Sequence, residues 1–450
     1  EFLASEAMWN LGVRTTRALS LVVSGQDKSY RPWYSESFKL KIPAIDDPRL
    51  AQYSDQQKAQ IISQLRNEKA DPNMMIEEPC AITCRVCTSF VRVGHLDLFA
   101  RRAEKQSREN AKTNKSRYDT TTLAWKELEQ LVWHACYREF RTEAYDPFIA
   151  SADIAAAATV LLQKSAERLS EMAANWIRVG FAQGNFNGDN CLVGGHTMDY
   201  GPFGFMDEYN PLFAKWTGSG QHFGFMNQPS AALANFQVLA ESVVPVICAA
   251  KGLQDPTDTL EKILEDAQET FQLAFDKVLR KKMGFSDDSI EADDLWTSLE
   301  TLLRNNRVDW TVFWRQLTMV AAEYDDYTFD DYEAMLEVLI SEGNKSPFYE
   351  PLSAESQSQF LEFIKRWRQM LQGEQDVAER MRMANPKYVL REWMLVKAYS
   401  NAGNGNEELL NDLYELIQRP YEEGTPEEEE LYYRRTPDEA LMAGGTAFMS

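Results

Sequence analysis

The residues best equipped for chemistry lie in one short stretch, NGDNCLVGGHTMDYG, at 187–201. Asp189 and Asn190 stand side by side, and Asp199 follows after the segment CLVGGHTM. That segment reads as strand, tight turn and strand, because Gly194–Gly195 supplies the positive φ values that two-residue hairpin loops require. With those two glycines as the loop, Val193 pairs with His196 and Cys191 with Met198, and Asn190 falls opposite Asp199. Directly opposed Cβ atoms sit about 4.5–5.5 Å apart. At that spacing an amide oxygen and a carboxylate can share one hard cation, Mg²⁺ or Mn²⁺, with water and phosphate completing the shell. Asp189 projects from the loop before the hairpin, where a carboxylate can serve as base for an attacking hydroxyl. The plain alternative is a polar surface hairpin. A calcium loop fits poorly, since no Glu stands at the twelfth position counted from Asn187.

Other elements must hold this stretch in place. EFLASEAMWNLG (1–12) reads as a helix closed by Gly12. TTRALSLVVSG (15–25) and CAITCRVCTSFVRVG (80–94) are rich in β-formers and end at glycine, so both read as strands. A helix is expected between them, over 46–69. These pieces make a small α+β lobe across 1–96. From 97 to 420 helices dominate, and this larger part carries the catalytic loop at 183–201. Its helices include the basic, solvated 101–117, then 125–140 and 147–181. Another spans 259–279, where Leu260, Ile263, Leu264, Ala267, Phe271, Phe275 and Val278 recur at helical spacing. Residues 421–450 form an acidic tail, with Glu427 to Glu430 expected as mobile, solvated surface.

Composition excludes several classes. The formal charge of −22 leaves no basic face for a nucleic acid and disfavours an anionic membrane surface. A nucleotide remains possible where local cations or a metal offset this field. No apolar run in the sequence reaches the roughly 20 residues of a membrane span; IAAAATVLL at 154–162 is the longest candidate. Cys80, Cys84 and Cys87 have no second ligand pair for zinc, so six irregularly spaced cysteines read as free thiols of a reducing, intracellular compartment. GSGQHFG (218–224) has the spacing G-x-G-x3-G rather than that of a dinucleotide loop.

An acid–Asn pair, a short hairpin and Asp-aromatic-Gly together follow the plan of a protein-kinase catalytic loop and its metal-binding Asp. Over nearly its whole length the sequence resembles the selenoprotein O family of kinase-fold AMP transferases. The resemblance is carried by EFLASEAMWNLGVRTTRALSLV (1–22), CRVCTSFVRVG (84–94), FNGDNCLVGGHTMDYGPFGFMDEYNP (186–211), FGFMNQP (223–229) and NPKYVLREW (385–393). It implies a two-lobed, kinase-like fold and transfer of AMP from ATP to Ser, Thr or Tyr of target proteins. It also implies a catalytic role for Asp189, metal ligation by Asn190 and Asp199, phosphate contacts from Arg85 and Arg92, and a supporting ion pair at Glu1.

Departures from the family pattern set further expectations. The family's ATP-positioning lysine and glycine-rich loop precede the helix that Glu1 opens, so neither is in this sequence, and a native chain extending upstream is expected. Gln183-Gly184 stands where the family has His-Gly, and Asn187-Gly188-Asp189-Asn190 where it has Asn-Thr-Asp-Asn. The C-terminal GGTAFMS has no cysteine for a redox latch. The resemblance implies a mitochondrial location in a eukaryote and a cytoplasmic one in a bacterium. The competing function is a pseudokinase-type module that binds nucleotide or protein without catalysis.

Overall fold

The computed structural model describes residues 1–34, 50, 58, 70–110, 118–201, 204–214, 221–325 and 330–441. Helix α1 (Phe2–Asn10) leads into a long antiparallel ribbon, β1 (Arg17–Tyr34) with β2 (Ala70–Val86). Arg17 lies opposite Val86 and Val22 opposite Ile82, with a slip in register between Val23 and Lys28. Both strands form where β-formers concentrate, but β1 continues past Gly25 and β2 stops at Val86, short of Gly94. Beyond Val86 the backbone changes partners: Val93 N–H donates to Cys191 O at 2.9 Å, and Val91 O accepts from Val193 N–H at 3.0 Å. The helix expected over 46–69 lies outside the described residues apart from Leu50 and Lys58.

Among the described residues the ribbon is the only sheet, and the architecture is mixed but mainly helical. After α2 (Val93–Asn110) and α3 (Leu123–Glu139) comes the central helix α4 (Ile154–Val179). Asp153 caps α4 by accepting from Ala156 N–H at 3.0 Å. Its buried alanines, among them Ala157, Ala158, Ala166 and Ala173, let α5 (Gln228–Ala250) and α6 (Thr257–Lys282) pack closely. In α6 the helical repeat holds: Ala267, Phe271 and Val278 are buried, with Leu260, Ile263, Leu264 and Phe275 packed at the core edges.

By length and composition the helical stretch Phe225–Ala250 could cross a membrane, which the sequence reading did not anticipate. In this fold 67% of its most apolar window is buried inside the protein.

A second core gathers around Trp310, Trp314 and Trp367. It draws on α7 (Asp293–Asn305), α8 (Trp310–Glu323), α9 (Tyr332–Ile340), α10 (Ala354–Met370) and α11 (Val377–Ala384). The chain then adds α12 (Glu392–Gly403), α13 (Glu408–Leu416) and α14 (Pro426–Tyr432).

That last helix corrects the expectation for the acidic run. Thr425 and Glu428 form a capping box, Glu428 pairs with Arg419, and Glu429 pairs with Lys387 at 2.9 Å and with Lys345. Only Glu427 and Glu430 are exposed as expected. The run is ordered because its carboxylates meet a helix N-terminus and the buried Lys387 ammonium. Residues 442–450 lie outside the described part.

Candidate active site

The loop carrying Asp189 leaves the C-terminus of α4 and is pinned from inside. Trp176 packs edge-on against Phe186 with centroids 4.8 Å apart, and Phe181 against Tyr200 and Phe205 at 5.7 and 5.6 Å. Gln183, only 2% exposed, is the hub. Its Nε2 donates to Asp199 O at 2.7 Å, its Oε1 accepts from Asn185 N–H at 2.9 Å, and its own N–H donates to Gln228 Oε1 at 2.7 Å. One side chain therefore ties the loop holding Asp189 to the backbone of Asp199. An amide can donate and accept at once without titrating, so Gln183 can hold both contacts whatever the pH.

Within the loop, Asn187 Oδ1 accepts from Asp189 N–H at 3.0 Å, and Asn190 Nδ2 donates to Asn185 O at 2.8 Å. The Asn190 amide is thereby oriented with its nitrogen committed and its oxygen available. The Asp189 carboxylate is exposed and lies against Gly94, where a Cβ would come within 2.5 Å of Oδ1. Gly94 N–H also donates to Gly188 O at 2.9 Å. Sequence reasoning missed Gly94 and Gln183. The only signal for Gly94 was a glycine directly after the arginine-bearing turn; Gln183 was visible solely as a departure from the family pattern.

The hairpin differs from the expected register. The turn runs from Leu192 to Gly195, whose N–H donates to Leu192 O at 3.0 Å, and Cys191 bridges Thr197 rather than Met198. Gly195, at φ +64, is the positive-φ residue, and a Cβ there would meet Arg168 O at 2.5 Å. Close approach to α4 thus sets the turn one residue earlier than a two-residue Gly-Gly loop, so the pairing of Asn190 with Asp199 inferred from that loop does not apply. Instead of a free hairpin, each arm pairs outward. The first arm meets residues 91–93, and Thr197 bridges Thr15 in parallel, with Thr16 N–H donating to Thr197 O at 3.1 Å. The stretch 187–201 is therefore seated between the two segments that flank the ribbon.

This seating brings Glu1 and Arg85 beside Asp199 and Tyr200. Arg85, one residue from the end of β2, pairs with Glu1 at 3.1 Å, and its guanidinium lies 5.6 Å from the Tyr200 ring centroid. Glu1 Oε1 also accepts from Tyr200 N–H at 3.3 Å, while Asp199 Oδ1 accepts from Gly201 N–H at 3.2 Å. Tyr200 is buried and shares a short hydrogen bond with Thr15; burial pushes its phenol pKa up. Arg92, on the turn before α2, bridges Leu192. Arg85 Nη1 and Arg92 Nε are buried N–H groups without an acceptor among the described residues. Two such donors beside a carboxylate-bearing loop can receive an anion.

Behind the turn sits a second polar group. Glu139 Oε2 lies 2.3 Å from where a Gly194 Cβ would be, and Arg14 Nη2 meets His196 Nε2 at 3.2 Å. Burial raises the Glu139 pKa to about 7 and lowers that of His196 to about 4.

Comparison with known proteins decides the family. A family model described as Protein adenylyltransferase SelO matches residues 63–418. The chain belongs to this family. It is 30% identical over 458 residues to the protein nucleotidyltransferase YdiU of Flavobacterium johnsoniae, with all of this chain and 72% of the relative covered. The corresponding figures for YdiU of Rhodopirellula baltica are 28% over 461 residues, again with all of this chain and 72% of the relative. Membership makes the protein an enzyme of the nucleotidyltransferase class.

Proposed function

We propose that this protein transfers AMP from ATP to Ser, Thr or Tyr hydroxyls of target proteins, on a kinase-like two-lobed scaffold. The observation that carries the reading is the pair of unpartnered buried donors, Arg85 Nη1 and Arg92 Nε, beside the loop that holds Asp189 and Asn190. Asp189 takes the proton from the attacking hydroxyl. The hydroxyl oxygen then bonds to the α-phosphorus as the bond to the bridging oxygen breaks, and pyrophosphate leaves. Both guanidinium groups stabilise the charge that develops on the phosphate oxygens.

A hard divalent cation would be held by Asn190 and Asp199, on the chemistry of their oxygens. Asn190 has its oxygen available, and the Asp199 carboxylate accepts one backbone N–H while keeping other lone pairs for a metal. Bound Mg²⁺ or Mn²⁺ would supply charge neutralisation at the phosphates.

The test is label transfer from ATP to proteins. Radioactivity from α-labelled ATP and none from γ-labelled ATP is expected, with loss in Asp199→Ala. Transfer of the γ-label would refute the reading in favour of phosphorylation. A second reading, a binding module without catalysis, draws on the Glu1–Arg85 pair, which occupies part of a guanidinium needed for phosphate. Absence of both labels together with retained nucleotide binding would select it.

A further inference from the structure

A second concavity opens beside the loop that carries Asp189. Its volume is about 430 Å³. Its walls include Phe186 and Asn187 from that loop, His222 and Phe223 ahead of α5, and Ala234 and Val238 on α5. Among the described residues that line it none is Lys, Arg, Asp or Glu, in a chain where those types make up 26% of residues. Asn235 also faces it, but its Nδ2 is spent on the carbonyls of Phe186 and Ala231 at 2.8 and 3.1 Å. A phosphate here would find no counter-charge, and a charged side chain would lose water without gaining a partner. Apolar surface is what this lining can usefully cover.

Position ties the cavity to the chemistry. Asn187 belongs to both, since it lines the cavity and its Oδ1 accepts the N–H of Asp189 at 3.0 Å. Two peptide units separate Asn187 from Asp189, a span of at most about 7 Å. An extended polypeptide advances about 3.3 Å per residue. A hydroxyl held at Asp189 therefore carries residues two or three positions along the same chain over the mouth of the cavity.

We infer that this cavity receives an apolar side chain of the protein substrate, two or three residues from the modified hydroxyl, and so sets a sequence preference. The inference rests on the reading of Asp189 as the proton acceptor in AMP transfer. Small amphipathic molecules are a poorer match, because the described lining offers no charged group to anchor a polar end.

The experiment uses acceptor peptides with one hydroxyl residue in an alanine background, with Leu moved through four positions on either side. Label from α-labelled ATP is followed with the unmodified protein. Leu two or three positions away, on one side only, should raise kcat/KM by about tenfold or more, the scale on which hydrophobic pockets discriminate. Ala234→Trp fills the cavity from an exposed position on α5 and should bring the Leu and Ala peptides within about twofold, with nucleotide affinity unchanged. Should that variant fail to fold, Val238→Ala enlarges the cavity and should shift the preference from Leu towards Phe. Labelling without positional preference overturns the inference and leaves AMP transfer standing. Label on extract proteins but on no peptide overturns it too, by placing recognition outside the linear sequence. No label on any peptide or protein overturns AMP transfer itself, and the inference with it.

Discussion

Replacing Glu139 by Gln should change how stability depends on pH, in a direction the structure dictates. Glu139 sits behind the Leu192–Gly195 turn with Oε1 buried and without a hydrogen-bond partner among the described residues. Burial is the main cause of its raised pKa; the Ser89 hydroxyl and the charges of Arg138 and Arg14 oppose it only in part. A carboxyl raised from 4.5 to about 7 on folding binds its proton more tightly in the folded protein. Its contribution is fully present below the unfolded value and is lost as pH rises through the folded one. At 1.36 kcal/mol per unit, the loss amounts to about 3 kcal/mol between pH 4.5 and 8. The amide of the Glu139→Gln variant would keep the shape and carry no such loss. Urea unfolding of both proteins across that range should therefore show the variant gaining about 3 kcal/mol on the wild type as pH rises. His196 works in the opposite sense: lowered from 6.5 to about 4, it contributes stability above pH 6.5 that disappears as pH falls towards 4. The wild-type profile should then be nearly flat between pH 4.5 and 6.5, and only the difference between the two proteins isolates Glu139. A difference that does not change with pH would refute the assignment of a buried, neutral carboxyl.

Three further outcomes follow from the geometry. Arg391→Ala should cost about 3–5 kcal/mol in denaturant unfolding, because it strands the fully buried Asp309 carboxylate that Arg391 grips at 2.6 and 2.7 Å. Gly94→Ala should leave the unfolding midpoint nearly unchanged while lowering kcat for label transfer about 10²-fold, since its methyl group would displace the exposed Asp189 carboxylate. Gln183→Leu should lower kcat by a similar factor and cost about 1–3 kcal/mol of stability, as Asn185 N–H and Asp199 O lose their partner. Recovery of activity in Gln183→His would separate the loss of a hydrogen-bond hub from simple mispacking.

The long helices were legible because their apolar residues repeat at a period that only a helix can bury on one side. The α6 series from Leu260 to Val278 did so without exception. The ribbon was legible from β-forming residues, but not its end, because the partner of residues 91–93 is the hairpin a hundred residues further on. Hairpin register failed for a related reason. Local turn rules place Gly194 and Gly195 as the loop, yet the carbonyl of Arg168 decides how closely Gly195 can approach. The acidic run misled because charge counting is blind to Lys387, which supplies a buried partner from 42 residues away in sequence. Types and spacing drew attention to Asp189, Asn190 and Asp199. They could not give the fastening of those residues, since Gln183, Gln228 and Gly94 have no reactive groups to attract notice.

The segment NPKYVLREW shows why a stretch with no chemistry of its own can carry family resemblance. Asn385 is wholly buried and donates to Lys282 O and Thr318 Oγ1, while its Oδ1 accepts from Lys282 Nζ. Burial pushes the Lys282 ammonium pKa far down, and the same ammonium lies 4.6 Å from the Trp314 ring centroid. Arg391 reaches Asp309, which caps α8 through Val312 N–H at 3.0 Å, and stands 3.6 Å from Asp207. Asp207 in turn follows the strand bridge of Phe205 to Phe181, at the exit from the catalytic stretch. The Arg391–Asp309 end of this path is a buried polar contact, with few alternative geometries in a low-dielectric interior. A substitution at Arg391 or Asn385 leaves another buried group unpaired. Motifs far apart in sequence are therefore linked parts of one structure, and NPKYVLREW is fastened to the stretch that leads out of the Asp189 loop.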